Sequence, residues 1–107
     1  MKKANPQEMP QKYKELLSIL RPGAEQALSS TEITQLIGMH RRDTGAITAE
    51  LVTKYGYLIG ANRSQPFGYY IIENEDDLKT TLRALNNEAQ GILERHKALY
   101  TNYYKEQ

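Results

Sequence analysis

The sequence predicts an α+β chain that is mostly helical: three helices, a β-hairpin, and a long C-terminal helix built as a coiled coil. Three observations carry this. Apolar residues recur at helical spacing in three segments before residue 56. Two β-branched and aromatic runs, Tyr57-Leu58-Ile59 and Tyr69-Tyr70-Ile71-Ile72, then flank a polar loop. From Leu78 to Tyr103, residues step by four and three without a break, the period of a helix that pairs with another.

In chain order, residues 1–9 are polar and contain Pro6, the composition of a flexible N-terminal arm. After Pro10, the residues Tyr13, Leu16, Leu17 and Leu20 form one stripe of an amphipathic helix, which Arg21-Pro22-Gly23 ends. Ser29 with Glu32 three residues later is a capping pair for the free amides of a second helix. Ile33, Leu36 and Ile37 give that helix its apolar face. Gly38 stops it, because glycine tolerates the left-handed backbone of a tight turn. Met39-His40-Arg41-Arg42-Asp43 leads into a third helix, TGAITAELVTKY, with Thr44, Ile47 and Leu51 facing inward. The strands follow, joined between Gly60 and Gly68 by a connection longer than the roughly two to five residues of an ordinary hairpin. Asn74 is a good cap for the last helix, and Glu75, Asp76 and Asp77 place negative charge at the positive end of its dipole. The expected organisation is an arm over 1–9, a folded unit over 10–73 and a dimerisation helix over 74–107.

Composition narrows the function classes. A chain of 107 residues with 39% hydrophobic and 25% charged residues is one ordinary soluble domain with an appended helix. No apolar run approaches the ~20 residues of a membrane span. The opening MKKANPQEMP lacks the apolar centre of a signal peptide, so no membrane partner and a cytoplasmic location are expected. Cysteine is absent, and His40 and His96, the only histidines, are too few and too scattered for zinc. Neither metal nor cofactor is expected. An enzyme is not expected either, since no nucleophile set, phosphate-cradling glycine loop or ligand cluster stands out. Glu75, Asp76 and Asp77 are better explained by helix capping than as paired catalytic carboxylates. The net charge of +1 names no partner by itself. Its distribution is slightly uneven: the basic excess lies in residues 1–73.

A capped helix, a glycine turn and a second helix opening with Arg41 and Arg42 form the pattern of a helix-turn-helix. A helix of ~12 residues fits the DNA major groove, where arginine donates paired hydrogen bonds to guanine. The hairpin that follows completes the order of a winged helix, with Asn62, Arg63, Ser64 and Gln65 at the tip of the wing, where they can meet phosphates or the minor groove.

The stretch TEITQLIGMHRRDTGAITAELVTKYGYLIGANRSQPFGYYI resembles the winged-helix domain at the start of biotin-repressor-type regulators: short helix, Gly turn, Arg-rich recognition helix, Gly-Tyr-x-Ile strand, polar wing, Gly-Tyr strand. It covers Thr31 to Ile72. The chain also resembles small winged-helix proteins of phages and integrated elements of Gram-positive bacteria, in which an acidic segment and a long terminal helix follow the wing, so that this likeness extends to about residue 100. The resemblance implies helix-start DNA contacts at Arg41, Arg42 and Thr44, with Thr48 further along and Arg63 on the wing. Two departures are Thr44, where the family carries an apolar residue, and Gly45, which costs roughly 1 kcal/mol relative to Ala inside a helix.

The terminal seam comprises Leu78, Leu82, Leu85, Ala89, Ile92, His96, Leu99 and Tyr103. Some 30 helical residues extend ~45 Å, more than this domain can cover by itself, so a second copy is the expected partner. The leading function is a dimeric, sequence-specific binder of double-stranded DNA, a transcription regulator or an origin-binding protein of a phage or mobile element. The alternative is a protein-protein adaptor with the same fold, whose partner is a replication, packaging or regulatory protein.

Overall fold

Local capping chemistry sets most element boundaries in the computed structural model, which describes residues 8–105. Residues 1–7 of the expected arm lie outside the described residues. The folded part begins earlier than Pro10, because Met9 is buried in the core. Helix α1 spans Gln11–Ile19 and ends where Leu20 turns extended. A short 3-10 turn, Ala24–Gln26, leads to α2, Ser30–Ile37. The capping box on α2 is complete: Glu32 N–H donates to Ser29 Oγ at 3.1 Å, and Ser29 N–H donates to Glu32 Oε1 at 3.0 Å. At its other end, Gly38 takes φ 70° and ψ 16°, the left-handed turn that its lack of a side chain permits.

Helix α3 spans Arg41–Thr53, starting three residues before the expected TGAITAELVTKY. The side chain of His40 explains the earlier start, since its Nδ1 accepts the Arg42 N–H at 3.1 Å and satisfies a free amide of the first turn. Thr44, Ile47, Thr48 and Leu51 share the inward face. With Leu16, Leu20, Leu28, Ile33, Met39, Tyr55 and Ile59 they close the core between the three helices and the hairpin.

Strands β1, Ile59–Asn62, and β2, Gly68–Ile71, pair antiparallel with Gly60 opposite Tyr70 and Asn62 opposite Gly68. The first strand starts two residues later than Tyr57 because the Tyr57 N–H is used to close α3, donating to the Leu51 carbonyl at 3.0 Å. It also runs further, through Asn62. The connection is therefore only Arg63 to Phe67, an ordinary hairpin length, and the long loop inferred from sequence does not exist. The Gln65-Pro66 peptide within it is cis. On its other edge β2 is bonded by the segment after α1: Ile71 N–H donates to Arg21 O, and Leu28 and Tyr69 exchange both backbone bonds at 2.9 and 2.8 Å. Gly68 makes that contact possible, since a Cβ there would stand 2.0 Å from the Leu28 oxygen.

Helix α4, Glu75–Lys105, is one unbroken helix of 31 residues despite Asn86-Asn87 and Gly91. Asn74 caps it as the sequence predicts: Asp77 N–H donates to Asn74 Oδ1 at 2.9 Å, while the Asp77 carboxylate accepts the Glu73 N–H at 3.0 Å. Its first turns sit on the hairpin, where Thr81 and the fully buried Tyr70 share a hydrogen bond of 3.1 Å. Beyond residue 84 every described side chain of α4 is exposed, and the molecule measures 54 × 32 × 30 Å. Mostly helical, with one two-stranded hairpin and one long C-terminal helix, the architecture is α+β.

Candidate nucleic-acid interface

The first turn of α3 and the hairpin loop face each other across an open groove. Arg41, Arg42 and Arg63 all line it, together with the start of α2 at Ser29, Ser30 and Thr31. Three cations separated by up to 22 positions in the sequence are thus gathered on one face. The N-terminal ends of two helices open into the same space, and helix N-termini carry partial positive charge. Phe67 and Tyr69 supply apolar and hydroxyl surface on the hairpin side. The groove suits an extended anion flanked by flat or apolar groups.

Arg41 and Arg42 are exposed, as a DNA-contacting role requires. Ser64 and Gln65 are exposed on the hairpin loop. Three other expected contacts are not free for that role. Thr44 is completely buried, and its hydroxyl donates to the His40 carbonyl at 3.2 Å. Thr48 is buried as well and, among the described residues, its hydroxyl has no hydrogen-bond partner. Both fall on the inward face of α3 with Ile47 and Leu51, three and four positions apart as helical periodicity requires. Asn62 is held by its own amide, which donates to Ala24 O at 2.8 Å and to Pro66 O at 2.9 Å, fixing the loop rather than reaching out from it.

Arg63 is exposed but paired with Glu88 of α4. With both side chains at least half exposed, such a pair is worth only about 0–1 kcal/mol, so a phosphate can take the arginine at small cost. Past its two arginines, the outward face of α3 is short-chained, with Ala46 and Ala49 between Asp43 and Glu50. Glu50 accepts the Tyr13 hydroxyl, and this hydrogen bond, followed by partial burial, raises the Tyr13 pKa above its ordinary value.

Sequence reasoning missed the start of α2, His40, Phe67 and Tyr69 as groove-lining positions. The Ser29 capping box was the available signal, because it marks a helix end. What brings that end beside Arg63 is the bonding of Leu28 to Tyr69, which no local pattern announces. Met39 belongs to the core, whereas Phe67 stands half exposed.

The seam of α4 is exposed along its length: Leu78, Leu82, Leu85, Ala89, Ile92, His96, Leu99 and Tyr103 all lie outside the domain contact. The face used for that contact is a different one, through Asp77, Thr81 and Glu88. Near the C-terminal end, Tyr104 packs against Tyr100 and Tyr103 with ring centroids 4.7 and 5.1 Å apart. Among the described residues, no helix is long and apolar enough to cross a membrane, and no group of three His, Asp or Glu is placed to hold a metal. The chain matches no protein-family model, no curated protein and no solved structure.

Proposed function

We propose that this chain is a winged helix-turn-helix protein that binds double-stranded DNA sequence-specifically as a homodimer, in transcription control or at an origin of a phage or mobile element. The observation that carries the proposal is the shared groove of Arg41, Arg42 and Arg63. Arg41 and Arg42, at the leading end of α3, are the residues to reach base edges in the major groove. Arg63, leaving Glu88, takes a backbone phosphate and fixes the register. Ser64 and Gln65 can donate to the phosphates alongside it. The exposed seam of α4 pairs two copies, and two-fold pairing implies an inverted-repeat site.

Selection of bound duplexes from a random library at about 150 mM salt, where nonspecific phosphate attraction is weak, tests this. An enriched inverted repeat supports dimeric base reading. A folded protein that enriches nothing refutes it.

One observation favours a second reading. The outward face of α3 offers Ala46 and Ala49 rather than long polar side chains, which suits docking against a protein surface as well as a groove. On that reading the chain is an adaptor that recruits a replication or packaging enzyme, and it would show no sequence selection at all.

A further inference from the structure

The α4 seam lies about a quarter turn around the helix from the Asp77, Thr81 and Glu88 face that seats on the domain, counting about 100° per residue. The domain therefore leaves the seam open from end to end. We infer that a second copy of this chain covers it in the antiparallel direction, with the two α4 helices crossing at their midpoint between Gln90 and Gly91. This deepens the proposed dimer and rests on it, but does not depend on DNA binding.

Layer chemistry decides the direction. In a parallel, in-register pair, Ala89 meets a second Ala89 and leaves a gap, while His96 meets a second His96 and packs two polar rings together. Antiparallel pairing about that midpoint sets Ala89 against the partner's Ile92, small against large. It sets His96 against the partner's Leu85, so each imidazole has an aliphatic neighbour and an open edge to solvent. The outer layers are Leu82 with the partner's Leu99 and Leu78 with the partner's Tyr103. No layer holds two small or two polar residues, which is what close packing requires.

Charges flanking the seam agree. Glu88 and Arg95 occupy equivalent flanking positions one heptad apart. In an antiparallel coiled coil such positions face one another, so Glu88, which also pairs with Arg63 of its own chain, comes opposite the partner's Arg95, and the contact occurs twice. In a parallel pair Glu88 instead faces the partner's Leu93, and Arg95 the partner's Tyr100, with no compensating charge. The same sense appears along the whole helix. From Glu75 to Gln90, Glu75, Asp76, Asp77 and Glu88 outweigh Lys79 and Arg83; from Gly91 to Lys105, Arg95, Lys97 and Lys105 outweigh Glu94. Head-to-tail overlap neutralises both halves.

The chain has no cysteine, so introduced ones are unique probes. Leu82→Cys and Leu99→Cys chains, distinguishable by mass, are prepared separately and mixed, then oxidised and resolved as disulfide-linked dimers. In the antiparallel dimer, position 82 stands about 25 Å along the axis from its own copy, and position 99 likewise, well beyond the ~7 Å that a disulfide spans. Neither variant alone then cross-links, whereas the mixture yields a heterodimer linked between position 82 of one chain and position 99 of the other. Cross-linking of each variant with itself, and none in the mixture beyond that, overturns the antiparallel direction while leaving the dimer intact. A monomer in sedimentation of the unsubstituted chain, with no cross-link in any combination, removes the dimer and this inference together. The duplex-library selection reports separately on DNA binding.

Discussion

Gly60→Ala places a methyl group in the seat of α4. The added Cβ would stand 2.5 Å from Tyr70 Cζ, 2.7 Å from Thr81 Oγ1 and 2.7 Å from the Tyr70 hydroxyl, all far inside normal contact. Tyr70 cannot yield cheaply, because it is fully buried and its hydroxyl is held by Thr81. Backbone conformation is not the obstacle, since Gly60 does not take a positive φ. At such a position alanine ordinarily stabilises by about 0.4–1 kcal/mol through the unfolded chain. Overpacking of a filled core costs roughly 1–3 kcal/mol, so the net expectation is a loss of about 0.5–2 kcal/mol. In a domain of this size each 1 kcal/mol shifts the thermal midpoint by about 4–8 °C. Urea unfolding followed by circular dichroism measures the loss, in the native background and again with Tyr70→Leu, which removes the ring atom and the hydroxyl. The alanine should cost little or become stabilising in the second background. An equal cost in both, or a stabilised Gly60→Ala in the first, would refute the argument that these atoms set the height of α4 on the hairpin.

The arginines separate base reading from charge. Arg41→Ala or Arg42→Ala should lose about 1–3 kcal/mol on the preferred duplex and relax specificity, while Arg63→Ala should weaken all duplexes alike and reduce the salt slope by about 0.9. Equal losses from all three on every sequence would remove the base-reading role. Thr48→Val replaces a buried hydroxyl that has no hydrogen-bond partner among the described residues with a methyl of the same shape, and should raise stability by about 1 kcal/mol with DNA affinity unchanged. A fall in affinity at constant stability would return Thr48 to the interface. The Glu32 carboxyl is held below its ordinary value of 4.5 by the Ser29 backbone N–H and then by the Ser29 hydroxyl. The stability this gives is complete above that ordinary value and disappears as the pH falls through the lower folded one. Thermal midpoints of the native chain and Glu32→Gln should therefore differ at neutral pH and converge in acid; a constant gap would mean that the charge on Glu32 contributes nothing.

Sequence alone determined what short-range chemistry controls. The Ser29–Glu32 box, the turn at Gly38, the cap at Asn74 and the unbroken period from Leu78 to Tyr103 each depend on residues within a few positions of one another, and each appears in the structure. The exposure of Arg41 and Arg42 was legible for the same reason. Tertiary contacts decided the rest. The local exception is His40, an unusual cap whose acceptance of the Arg42 N–H starts α3 at Arg41. Pairing with the segment from Arg21 to Leu28 fixed where the strands run, shortened the loop and bound the amide of Asn62. The meeting of Arg63 with Arg41 and Arg42 across one groove, and with Glu88 on α4, belongs to the same class. These contacts join residues more than twenty positions apart, whose approach depends on the packing of the whole core around Leu16, Ile33 and Leu51, and no local pattern encodes that.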